Sequence, residues 1–211
     1  MNHSPDNFSD SDWDGGNIAW NEHDWQQYLL KNEAETDQFA RLYFANFERS
    51  DRLDVVAHQM RWDCSDWRND EDDSLAGDEE ETYTVHRHPV YMVTRALYRE
   101  LARWTAAYLQ TYAAAGLQVH ALSESFHEGQ FDACMGFSSL DIGEYTLAIC
   151  HLKRAIGHIN NSIGLLAELP FGGIEPRAKT LLFDLRDLYL RVIADCREEN
   201  RRRTSGDSGE Y

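Results

Sequence analysis

Apolar side chains recur every three or four residues over long parts of this sequence, and this spacing constrains the fold more than any other feature. A repeat near 3.6 residues places such side chains along one side of an α-helix, where they face a core. Two long stripes cover residues 142–166 and 181–196, and almost nothing resembles a strand. The clearest stripe comprises Val90, Thr94, Leu97, Leu101, Trp104, Tyr108 and Tyr112. The sequence therefore predicts an all-α fold, an antiparallel helical bundle.

The first helical stretch, near residues 24–48, carries a weaker stripe. Trp25 and Leu29 have the spacing of inward side chains, whereas polar Asn32 and Thr36 interrupt it. Glu35 interrupts it as well, and this residue either points inward or lies at the edge of the apolar stripe, which is the more common arrangement.

Cap and turn signals divide the chain into segments. Ser50 and Pro89 predict helix starts, Asp141 with Glu144 matches a capping box, and Gly116 either bends a helix or separates two helices. We expect five segments: an acidic disordered tail (1–23), an N-terminal helical segment (24–62), an acidic linker (63–82), the helical bundle core (83–203) and a disordered tail (204–211).

The net charge of −17 is concentrated in two places. Residues 1–24 carry six acids without Lys or Arg, and residues 63–81 carry ten acids with one Arg, so these segments hold 15 of the 17 net negative charges. Such segments repel themselves and bury little, and we expect them to be mobile. They serve either solubility or docking to a basic protein partner. The acidic balance argues against nucleic-acid and anionic-membrane partners, which attract basic surfaces.

The other side of the clearest stripe carries Arg95, Arg99 and Arg103, spaced by four. A ladder of guanidinium groups can hold an acidic peptide or phosphates, which makes these residues a candidate partner-binding site. Two alternatives stay open: the arginines form a solvated helix face, or the acidic linker folds back onto them.

One segment resembles a tetratricopeptide-type repeat. It consists of Met135-Gly136, then Gly143-Glu144-Tyr145, followed by Ala148, Ile149, Leu152, Ala155 and Ile156. The resemblance covers about residues 130–160 and implies a tightly packed helical hairpin with a peptide-binding role. Asp132 stands where the family has an aromatic residue, and no second full copy follows at a 34-residue period.

Nine histidines suggest an alternative, a metal site. His120, Glu124 and His127 fall on one helix face and form an ExxH pattern, while His151 and His158 lie seven residues apart on the next helix. Zinc or iron accepts such ligands, so these five residues would serve a metal-dependent helical-bundle enzyme. The opposing interpretation is that these histidines lie at the boundary between core and solvent without forming a site, so that no cofactor is bound. The absence of a second ExxH pattern favours this interpretation.

No familiar catalytic motif occurs, and none of the four cysteines forms a CxxC pair. The N-terminus resembles no secretory signal, and no apolar run suits a membrane span. We therefore expect a cytoplasmic protein with reduced thiols. The favoured function is a non-enzymatic helical interaction or adaptor module that binds another protein, and the alternative is the Fe- or Zn-dependent enzyme.

Overall fold

A computed structural model of the protein describes residues 21–62, 85–169 and 175–206. All regular elements in these ranges are helical, which confirms the predicted all-α bundle. Two short 3₁₀ turns, Val85–Arg87 and Ala113–Ala115, precede the third and fourth helices. The six α-helices of the described residues are α1 (Glu22–Ala45), α2 (Arg52–Gln59), α3 (Pro89–Thr111), α4 (Gly116–Asp141), α5 (Tyr145–Ala167) and α6 (Glu175–Gly206).

Only some of the predicted segment boundaries fall within the described residues. The acidic linker 63–82 lies outside them, as does the acidic tail 1–23 except for Asn21 and the first residues of α1. At the other end α6 extends to Gly206, three residues into the segment predicted as a tail. None of the described helices has both the length and the apolar character needed to cross a membrane.

The predicted boundaries at Pro89 and Gly116 are found in the structure, and a further cap lies at Asn21. Asn21 caps α1 because its side chain accepts bonds from the backbone N–H groups of His23 and Asp24, and the Asp24 carboxylate accepts a bond from the Asn21 N–H. Pro89 occupies the first turn of α3, where a missing N–H costs nothing. At Gly116 the second of the two alternatives holds, because α3 ends before the 3₁₀ turn and α4 begins at Gly116.

The predicted capping box at Asp141 and Glu144 is wrong. Asp141 is the last residue of α4, and Glu144 precedes α5 without a side-chain cap bond. The turn is formed instead by Gly143, whose φ of 75° favours glycine, and the Glu144 N–H donates to the Ser139 carbonyl at 2.8 Å. This turn leaves Ile142 72% exposed, although its spacing predicts an inward position.

The cap predicted at Ser50 is also wrong. Asp51 precedes α2, and its carboxylate makes no cap bond. The carboxylate instead accepts two bonds from the Arg49 guanidinium, at 2.8 and 2.9 Å, which compete with a cap.

The core lies between α3, α4, α5 and α6, with α1 and α2 covering one side. The predicted inner face of α3 is confirmed, since Leu97 and Leu101 are fully buried while Trp104 is half-buried. The inner face of α6 is equally apolar and includes Leu181, Leu182, Leu185, Tyr189, Val192, Ile193 and Cys196.

The stripe of α1 differs from its prediction. Trp25 and Leu29 are 40% and 45% exposed, whereas Asn32 and Thr36 are buried. Each polar side chain satisfies a donor internally: the Asn32 amide donates to the carbonyl of His86, and the Thr36 hydroxyl donates to the Asn32 carbonyl at 2.8 Å. These bonds satisfy the amide and hydroxyl donors, whereas Oδ1 of Asn32 is buried without a hydrogen-bond partner among the described residues.

A charged clamp joins α1, α2 and α6. The Asp184 carboxylate accepts two bonds from the Arg52 guanidinium, both at 2.6 Å, and one from the Tyr43 hydroxyl at 2.5 Å. Burial, followed by the nearby Asp184 charge, raises the pKa of Tyr43 well above its ordinary value. The clamp thus fixes the N-terminal helices against the bundle.

Candidate functional site

Close approach of α4 and α5 underlies the most distinctive polar cluster. Gly136 lies against Leu152: a Cβ at Gly136 would stand 3.0 Å from the Leu152 Cγ and 3.5 Å from the Ala148 carbonyl oxygen. Ala148 and Ala155 are fully buried. These small residues let α4 and α5 approach each other closely.

The cluster is centred on Asp132 of α4, which is only 1% exposed. Its Oδ1 lies 3.2 Å from Nδ1 of His151, and its Oδ2 lies 3.3 Å from Nε of Arg154 and 3.5 Å from Nε2 of His158. The contacts to Oδ2 are ionic, without well-formed hydrogen-bond geometry. A buried carboxylate requires such compensation. We call these four residues the Asp132 cluster.

Serine and asparagine side chains extend this polar seam. The hydroxyls of Ser125 and Ser162 both donate to the His158 carbonyl, at 3.0 and 2.8 Å, and the Asn161 amide donates to the Ser125 hydroxyl at 3.1 Å. The bonds of Ser125 to His158 and Asn161 join α4 to α5. Because the Asp132 carboxylate is almost completely enclosed, its charge serves to join the two helices and is not open to a substrate.

The residues of the predicted metal site fall into two groups. His120, Glu124 and His127 are exposed on α4, whereas His151 and His158 turn toward Asp132 between α4 and α5. Over the described ranges, no three His, Cys, Asp or Glu residues are grouped so that they could hold a metal ion.

Two of the three stripe arginines contact α1. Arg95 pairs with Glu33 at 3.1 Å, and Arg99 pairs with Glu33 at 3.2 Å and also with Asp37. Arg103 is more exposed and pairs with Glu100 of its own helix at 2.5 Å. The carboxylates that pair with Arg95 and Arg99 therefore belong to α1. The acidic linker, which we expected as one possible partner of the arginines, lies outside the described residues.

A row of exposed side chains runs along the outer side of α4. Its first four members follow at steps of four, three and four residues, which keeps them on one side of α4, and its last member directly follows the helix. We define the α4 face as Glu124, Glu128, Phe131, Met135 and Ile142. Phe131 is 55% exposed and Met135 is 39% exposed. Sequence spacing alone emphasised the opposite, buried side of α4, so it missed this face.

Comparisons with known proteins identify no relative of this chain. The chain matches no protein-family model, and neither a curated protein nor a solved structure is significantly similar to it. The repeat resemblance therefore stays a prediction.

Proposed function

We propose that the protein is a non-enzymatic interaction module, an adaptor, that binds a protein partner through the α4 face. The observation that carries the proposal is the exposure of Phe131 and Met135 in one row on the well-packed helix α4, followed by the exposed Ile142 in the turn after it. Aromatic residues and Met are enriched in protein interfaces, and a row of apolar side chains at helical spacing suits docking of another segment.

The surroundings of the face favour binding. Leu147, in the first turn of α5, is 47% exposed and adds apolar surface at the same end of the hairpin. The Asp132 cluster and the Gly136 contact hold α4 rigidly, and a rigid face loses little conformational entropy when a partner binds.

The arginine stripe is less suited to this role, because Arg95 and Arg99 are already paired with carboxylates of α1. A cytoplasmic location fits the unpaired thiols of Cys134, Cys150 and Cys196. The tetratricopeptide-like hairpin fits the same role, since α4 is its first helix.

Affinity purification with matched variants tests the proposal. The double variant Phe131→Ala, Met135→Ala is compared with Leu190→Ala, because Leu190 of α6 is 50% exposed and lies on another helix. We expect a protein recovered with the wild-type chain from its native cell to be lost with the double variant and kept with Leu190→Ala, as measured by quantitative mass spectrometry.

Equal recovery with all three proteins would contradict the proposal. Circular dichroism and the unfolding midpoint of each variant serve as controls, because truncation of exposed side chains should leave the fold intact.

A further inference from the structure

The α4 face has a charge that its own helix does not balance. Glu124 and Glu128 are four residues apart, so their carboxylates lie on the same side of α4 and repel each other. Both are exposed, and neither has a basic partner among the described residues. Helix α4 contains no Lys or Arg in its 26 residues.

Several other carboxylates of the bundle have basic partners. Glu33 and Asp37 are paired with arginines of α3, Asp184 is paired with Arg52, and the buried Asp132 lies beside Arg154. Glu124 and Glu128, which lack such a basic partner among the described residues, lie in line with the exposed apolar row.

From this juxtaposition we propose that the partner presents a basic amphipathic segment to the α4 face. This inference rests on the proposed function and names the chemistry of the partner. Apolar side chains of the segment pack on Phe131 and Met135, and its Lys or Arg side chains pair with Glu124 and Glu128. Binding relieves the repulsion between the two carboxylates.

Charge and dimensions support a basic segment. The net charge of −17 attracts a basic chain at long range, but 15 of these charges lie in residues 1–24 and 63–81, so on the α4 face the attraction comes from Glu124 and Glu128. The distance along the helix axis from Glu124 to Phe131 is about 10 Å, or two helical turns, which a short helix of the partner matches.

The test uses labelled peptides of about 18 residues as probes, because that length forms about five helical turns. One peptide is an amphipathic helix of Leu and Lys, the second replaces every Lys by Glu, and the third replaces every Leu by Ser. Fluorescence anisotropy measures the Kd of each peptide for the full chain. We expect binding of the Leu/Lys peptide only.

Two double variants with the same net charge separate local from general attraction. Glu124→Gln, Glu128→Gln removes two negative charges from the α4 face, and Asp187→Asn, Asp195→Asn removes two from exposed positions of α6. We expect the Kd of the Leu/Lys peptide to rise about tenfold for the first variant, and less than about twofold for the second.

The remaining outcomes distinguish a failure of the basic-segment proposal from a failure of the proposed function. No binding of the Leu/Lys peptide, or an equal rise in Kd for both double variants, overturns the basic-segment proposal. In one outcome, the double variant Phe131→Ala, Met135→Ala loses the native partner, while Glu124→Gln, Glu128→Gln recovers as much of it as the wild type. That result would support the interaction module and contradict the basic-segment proposal. If both variants keep the native partner, the proposed function itself fails.

Discussion

The clamp at Asp184 gives a stability prediction whose size follows from its contacts. In Asp184→Ala, the buried hydroxyl of Tyr43 loses its acceptor, and the guanidinium of Arg52 loses a bidentate carboxylate. The side chains of Arg52 and Asp184 are only 14% and 13% exposed, so water replaces these bonds poorly.

Removing one partner of a buried ion pair costs about 3–5 kcal/mol. Since the pair keeps some contact with water and Arg52 retains a bond to the Arg49 carbonyl at 2.7 Å, we expect the lower end, about 3 kcal/mol. With a urea slope of about 2 kcal/mol/M, the unfolding midpoint falls by about 1.5 M.

Equilibrium urea unfolding followed by circular dichroism measures this change. The matched control is Asp54→Ala, since Asp54 pairs with Arg191 at 3.4 Å while both side chains are at least 65% exposed. We expect the control to change the free energy of unfolding by less than about 0.5 kcal/mol. A loss below about 1 kcal/mol in Asp184→Ala would refute the clamp's role in stability.

Three further predictions concern packing, the arginine stripe and metal. Gly136→Ala should lower the free energy of unfolding by about 1 kcal/mol because its Cβ meets Leu152, whereas Gly164→Ala, with open space around its Cβ, should raise it by about 0.5 kcal/mol. An unchanged or raised free energy of unfolding for Gly136→Ala, measured in urea, would contradict the close approach of α4 and α5. Arg99→Gln should cost about 0.5 kcal/mol and leave partner recovery unchanged, so a lost partner would support the stripe instead. Untagged protein should carry only substoichiometric Fe or Zn by elemental analysis, and stoichiometric metal lost in His127→Ala would support the metal-enzyme alternative.

Periodicity predicts the fold where burial is purely apolar. For example, the spacing of the apolar residues predicts that Leu97 and Leu101 of α3 and Leu185 of α6 face the core, and all three are buried. The same reasoning fails at Asn32 and Thr36, because their burial depends on the carbonyl of His86, 54 residues from Asn32, and on a bond back to their own helix. Spacing along one segment contains no information about such partners.

The candidate sites show a similar division. The spacing correctly places His151 and His158 on one face of a helix, yet their partner is Asp132 and not the predicted His120 group. The departure of Asp132 from the repeat pattern was the available signal. A buried acid at an aromatic position requires counter-charges, and these come from the facing helix.

The α4 face could not be assigned from sequence, because apolar residues occur on both sides of α4. Phe126 is buried and Phe131 is exposed, although the two residue types are the same. Only the positions of α3 and α5 decide which side of α4 is covered.

Site-directed photocrosslinking tests the central claim most directly. A photoreactive amino acid replaces Phe131 in one protein and Leu190 in another, and crosslinks are formed in the native cell. The proposed function predicts that one protein is crosslinked from position 131 and not from position 190. Crosslinking of the same proteins from both positions, or no crosslink from position 131, would contradict it.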